Sequence, residues 1–188
     1  MDNPRLVVLA SLVLVIVAVG IWVFVKSKRR ERLRAQFGGE YPRAVEKYGS
    51  VTRAESALEA RRARVRRFDI RPLPPHDAER FAMAWRAAQA RFVDDPLVAI
   101  TEADALVQDL MQSRGYPVGD FEERVADISV DHAPVVEHYR IAHSIALAGE
   151  RGETTTEDLR QAMRHYRALF EDLLEVHDEA PRRMEAGR

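Results

Sequence analysis

Asp131, His132, Glu137, His138 and His143 fall within one short stretch. Their side chains suit proton transfer or metal binding, because histidine titrates near neutrality and ligates transition ions. Spacing limits what they can do together. His138 and His143 are five residues apart, about 140° around a helix of 3.6 residues per turn, so they do not converge on one ion. Asp131 reads as a helix cap, and the histidines as surface or boundary residues. A di-iron bundle needs inward-facing E-x-x-H pairs. The residues three before His76, His132, His138, His143, His165 and His177 are Leu73, Ser129, Val135, Arg140, Ala162 and Leu174, none of them a carboxylate. The sequence also lacks H-E-x-x-H, a glycine-rich phosphate loop and a G-x-S-x-G turn. It has no cysteine, which excludes thiolate catalysis, disulfides and cysteine metal sites. No catalytic residue, cofactor or metal site is expected.

Cations are the second chemistry-bearing group. Arg61, Arg62, Arg64, Arg66 and Arg67 crowd one segment and could contact phosphate on lipid or nucleic acid. Without interleaved aromatics, a solvated helix face paired with nearby acids is the plainer meaning. The total of 29 Lys and Arg against 30 Asp and Glu argues against a dedicated nucleic-acid binder, yet it hides a polarity along the chain. Residues 26–71 hold 15 basic and 6 acidic side chains, whereas residues 72–188 hold 13 and 23. Lysine occurs only at 26, 28 and 47, a bias toward arginine that suits a GC-rich bacterial source.

A second basic run, Lys26, Lys28, Arg29, Arg30, Arg32 and Arg34, follows an uncharged stretch from Leu6 to Val25. Twenty residues at about 1.5 Å per residue span roughly 30 Å as a helix, the thickness of a bilayer's hydrocarbon core. The stretch passes straight into charge without a small-residue cleavage motif, so it reads as an uncleaved anchor. Arg5 alone is basic on its N-terminal side. The positive flank therefore predicts a single-pass protein of the bacterial inner (cytoplasmic) membrane with its C-terminal part in the cytoplasm. Trp22 and Phe24 would lie at the inner interface; the flank could attract anionic headgroups, but stopping transfer and setting orientation is its plainer sole role.

These groups need elements to carry them. Gly38-Gly39 should break the juxtamembrane helix, and a helical turn should follow Pro42 and end at Gly49. Thr52 and Glu55 suggest a capping box for a helix bearing Val51, Ala54, Leu58, Val65 and Phe68. Phe68–Pro75 reads as a stiff polyproline-like spacer; within it Arg71-Pro72-Leu73-Pro74-Pro75 has the look of a proline-rich docking peptide, though orienting the elements on either side is its plainer role. Four punctuated helices and a shorter one follow. The first is capped by Asp77 and carries Phe81, Trp85, Ala88 and Phe92. The second opens at Asp95-Pro96 and closes at Gly115. The short one opens at Asp120, the next runs from near Ala133 toward Gly149, and the last starts in Thr154-Thr155-Thr156. The expected fold is all-α: an anchor (1–25), a basic helical connector (26–71), a compact antiparallel bundle (72–177) and a disordered tail (178–188).

Trp85–Pro96, Arg114-Gly115-Tyr116-Pro117-Val118, Ser129-Val130-Asp131-His132 and Arg151–Arg160 together resemble a family of uncharacterised bacterial proteins with a single N-terminal transmembrane helix. The resemblance covers nearly the whole chain, implies a bacterial source and an anchor, and transfers no site residue. The expected function is a membrane-tethered helical interaction or scaffold module, with a small-ligand- or metal-binding helical sensor as the alternative. Its expected partners are the membrane and another protein; the basic residues could also contact anionic lipid headgroups, and nucleic acid is not expected.

Overall fold

The structure, a computed structural model, describes the backbone of residues 4–174 and the side chains of residues 12–174. The expected tail, 178–188, and the end of the expected bundle at His177 lie outside the described residues. Among the described residues the chain is all-helical: α1 (Pro4–Phe37), α2 (Glu40–Tyr48), α3 (Val51–Val65), α4 (Pro75–Arg91), α5 (Pro96–Ser113), α6 (Phe121–Ile128), α7 (Ala133–Glu150) and α8 (Thr156–Leu174). They divide into two compact units, residues 1–59 and 60–188.

In the first unit α1 ends where Gly38 breaks it, with the Gly38 N–H donating to Arg34 O at 3.0 Å. α2 starts at Glu40, two residues before Pro42, because a proline within the first turn forfeits no intrahelical bond. It closes at Gly49, whose φ of 64° is the left-handed cap conformation, and whose N–H donates to Val45 O. The expected capping box of α3 does not form. The helix begins at Val51, two residues before the start a Thr52 cap implies, so Thr52 lies inside it and Glu55 turns to the buried side. Leu33, Phe37, Tyr41, Ala44, Ala54 and Leu58 are buried in this unit.

Among the described residues no helix is long and apolar enough to cross a membrane. The apolar side chains described on α1 run from Leu12 to Val25, roughly 21 Å of helix, and then meet Lys26, Lys28 and Arg29. The side chains of Leu6–Ser11, the rest of the uncharged run, are outside the described set.

The second unit is a helical bundle. Residues 69–74 belong to no helix, and Pro74, before the Pro75 that opens α4, is extended, but the segment is not a free spacer. Leu73 is buried in the core, Ile70 packs against that core, and the Arg71 N–H donates to Arg114 O at 3.0 Å. A peptide whose central apolar residue is already seated cannot offer it to a docking partner. α4 starts at Pro75 with Pro74 as its N-cap, so Asp77 is a first-turn acid rather than the cap; it lies 3.4 Å from Arg80. Asp95 and Asp120 cap α5 and α6 as expected, accepting from Val98 N (3.2 Å) and Glu123 N (2.8 Å). α8 begins with a reciprocal cap between Thr155 and Asp158. Trp85 and Phe170 stack at 4.6 Å in a core that runs through Ile100, Val107, Ile128, Val136 and Leu169 to Leu173.

Candidate functional site

Two places gather polar chemistry, one in each unit. In the first, α1 carries the basic flank directly below its apolar half. Lys28 pairs with Glu31 at 3.1 Å, Arg29 pairs with Glu59, and Arg30 Nε donates to Glu55 Oε1 at 2.9 Å. The Tyr41 hydroxyl donates to the same Glu55 oxygen at 2.9 Å. Burial by itself would raise the Glu55 carboxyl; the bonds from Arg30 and Tyr41 outweigh it and hold the group below the ordinary carboxylate range. Arg34 lies over the Tyr41 ring and Lys26 over Trp22, at 5.2 and 4.9 Å from the ring centroids. Arg32 is exposed. Half of the flank is thus committed to acids of its own unit, and for Arg29 and Arg30 residue spacing could not show it, because Glu59 and Glu55 are 30 and 25 residues away.

Trp22 and Phe24 are exposed on α1, with relative exposures of 63% each. Beside them, Trp22, Val25, Lys26 and Arg29 of α1 and Thr52, Glu55 and Ser56 of α3 line a cleft of about 240 Å³. A more open groove of about 470 Å³ lies along Arg34, Tyr41, Pro42, Val45 and Val51.

In the second unit the arginine cluster does not act as one surface. Arg64 reaches Asp127 at 3.2 Å and Glu123 at 3.6 Å, while Arg61 and Arg62 are half-buried and Arg66 and Arg67 are exposed. Asp127 is only 1% exposed; burial raises its carboxyl pKa, and the opposing pull of Arg64 is the smaller effect.

The histidine stretch is rearranged relative to expectation. Asp131 does not cap α7, whose N-cap is His132; it accepts instead from the Tyr116 hydroxyl at 3.3 Å. His132 is not a surface residue. It is buried and donates from Nδ1 to Asp172 at 2.5 Å, across to α8. His138 meets His165 of α8, Nδ1 to Nδ1 at 2.7 Å, so one ring must donate to the other. His143 stacks on Phe121 at 3.8 Å, and its Nδ1, 3.9 Å from Asp104, has no hydrogen-bond partner among the described residues. As the five-residue spacing requires, His138 and His143 part company. Glu137 is exposed. Among the described residues no group of three or more His, Asp or Glu is placed to hold a metal ion.

Asp104, Tyr166, Tyr139 and Arg124, which residue spacing did not single out, form the centre of this region. The Tyr166 hydroxyl donates to Asp104 at 2.9 Å, Arg124 Nε donates to the Tyr139 hydroxyl at 3.1 Å, and Arg124 also reaches Gly119 O at 2.7 Å. Burial pushes the Tyr139 phenol up to about 12 and the Tyr166 phenol further, so both stay protonated at neutral pH. One signal was available: Asp104 lies one turn from Ile100 and just before Val107, on the apolar stripe of α5. A carboxylate in that position needs a partner. The arrangement ties α5 to α8 and α6 to α7 by directional bonds, with the Tyr139 and Tyr166 rings in edge contact between the two pairs.

These contacts give a pH dependence. Burial lowers the pKa of His143 and of His165, the latter also through His138 and Arg164. Asp104, Glu122 and Glu150 oppose the shift at His143, and Glu137 opposes it at His165. A histidine held neutral in the fold contributes stability that is complete above the unfolded pKa of about 6.5 and is lost as pH falls through the lower folded value. Thermal unfolding from pH 8 to 5.5 should therefore show a plateau and then a decline below about pH 6.5. The double substitution His143→Gln, His165→Gln should flatten that decline, and an unchanged slope would assign it to other groups.

No family model matches the chain, and no curated protein and no solved structure matches it.

Proposed function

We propose that this chain is a membrane-tethered helical interaction module, with α1 as the single anchor, the basic flank on the cytoplasmic side and the second unit as the part that meets a partner. The observation that carries the reading is the exposure of α1. Every large apolar side chain from Leu12 to Val25 is at least half exposed, 53 to 70%, around the full circumference of the helix. Twelve such side chains, each losing about 1 kcal/mol for the half still in water, sum to roughly 10 kcal/mol, comparable to the whole stability of a domain. A helix that is apolar all round is at rest only when covered on all sides, and lipid does that. In the sequence the uncharged run continues back to Leu6, and this length and the abrupt charge at Lys26 also support the reading.

Full-length protein expressed in bacteria should sediment with membranes and resist alkaline extraction. Ile16→Arg, which places a charge mid-run at a cost of about 3 kcal/mol, should shift it toward the aqueous fraction. Recovery of the unaltered, uncleaved chain in the aqueous fraction without detergent would remove the proposal. A reporter fused after Arg188 tests orientation, since activity of a periplasm-dependent reporter would reverse it.

The second reading, a small-ligand sensor, has in its favour the unpartnered His143 Nδ1 beside Asp104. A metabolite that raises the unfolding temperature by several degrees, with no protein partner recovered, would favour it.

A further inference from the structure

The cleft between α1 and α3 has a composition that the tether alone does not need. Lys26 is half-buried on its wall, and among the described residues no carboxylate pairs with it. Arg29 stands one turn further along the same wall. Opposite, Thr52 and Ser56 are four residues apart on α3, hence on one face, and neither hydroxyl makes a hydrogen bond among the described residues. Glu55 also lines the cleft, but its carboxylate is taken by Arg30 and Tyr41, and Glu59 is taken by Arg29. The lining thus offers an unneutralised ammonium and two hydroxyl donors to one small volume, while Arg29 is held by Glu59. At about 240 Å³ it is smaller than a typical pocket for a drug-sized ligand and matches a compact anionic group. Its apolar members, Trp22 and Val25, belong to the last turn of the exposed apolar run, where a bilayer's headgroup layer would lie.

We infer that this cleft binds the phosphodiester headgroup of an anionic phospholipid, with Lys26 contacting the phosphate oxygens, Thr52 and Ser56 donating to them, and the acyl chains lying along Leu12–Val25. The inference rests on the tethered reading for its ligand, because only a helix in lipid brings headgroups to this level. It differs from general attraction to the basic flank in requiring the two hydroxyls of α3, which carry no charge.

Full-length protein in neutral detergent micelles, titrated with phosphatidylglycerol, phosphatidylcholine or inorganic phosphate and read by native mass spectrometry, separates the cases. Phosphatidylglycerol should remain bound in preference to phosphatidylcholine. Lys26→Gln and the uncharged pair Thr52→Val, Ser56→Ala should each weaken it about tenfold, whereas Arg32→Gln, an equal loss of charge outside the cleft, should change it less than about twofold. Retention by the Thr52→Val, Ser56→Ala protein equal to that of the unaltered chain, or an Arg32→Gln effect as large as that of Lys26→Gln, would reduce the site to diffuse attraction and overturn it. Inorganic phosphate binding as tightly as the lipid would overturn the lipid assignment. Membrane sedimentation of the same proteins keeps the two ideas apart: membrane-bound protein without lipid discrimination loses the site alone, and discrimination by a protein that stays aqueous in cells loses the tether alone.

Discussion

Phe170→Ala should lower the stability of the second unit by about 3–5 kcal/mol and its unfolding temperature by roughly 10–20 °C. The ring is 2% exposed and stacks on Trp85 at 4.6 Å with an interplanar angle of 19°, so its removal costs both the transfer of a buried aromatic and the cavity left beside an indole. Collapse into that space is restricted. Neighbouring positions on α8 are tied by Tyr166 to Asp104 and by Asp172 to His132, bonds that would have to stretch for the helix to move inward. Phe170→Leu keeps most of the volume and should cost about half as much. Thermal melts followed by far-ultraviolet circular dichroism, with the fluorescence of Trp85 as a local reporter, provide the measurement. A Phe170→Ala loss below about 1 kcal/mol would mean that the stack is not part of a tightly packed core.

That pair shows what was legible in the sequence and what was not. Phe81, Trp85 and Ala88 announce themselves by helical spacing, and Asp95-Pro96 and Asp120 announce the starts of α5 and α6, because these signals are local to one turn of chain. Local signals misled where two of them compete. Thr52 and Glu55 have capping-box spacing, but the helix already starts at Val51 and Glu55 turns inward to Arg30 and Tyr41. Asp77 has the chemistry of an N-cap, yet Pro75 is already suited to the first helical position.

The polar clusters were legible only in part, for a related reason. His132 and Asp172, or His138 and His165, come together because α7 lies against α8, and sequence distances of 40 and 27 residues hide such pairs. Asp104 carried a warning in its position on an apolar stripe, whereas Arg124 and Tyr139 carried none. The flank of α1 is similar: its charge is plain in the sequence, but the commitment of Arg29 and Arg30 to Glu59 and Glu55, which leaves Lys26 available, is a property of the packed unit.

Gly115→Ala should be at least as disruptive for its size as any core truncation, costing about 3 kcal/mol or more. Gly115 has φ of 97°, where an L side chain is strained by about 1–2 kcal/mol on its own. A Cβ there would also stand 2.2 Å from the backbone oxygen of Asp69 and 3.0 Å from its carbonyl carbon. Neither is the end of a flexible side chain, so relief requires moving the proline segment itself. That segment is held by the Arg71 N–H on Arg114 O and anchored by Leu73 in the core, and shifting it would break the first and unseat the second. Gly152→Ala supplies the control. Its φ of 71° imposes the same kind of strain, but nothing lies within 4 Å of the added carbon, so the loss there should be only about 1 kcal/mol. Denaturant melts of the two variants compare strain with strain plus collision, and faster hydrogen exchange at the Arg71 amide in Gly115→Ala would locate the damage. Equal losses for the two would mean that the proline segment yields freely, and that its contact with the end of α5 does not fix its course.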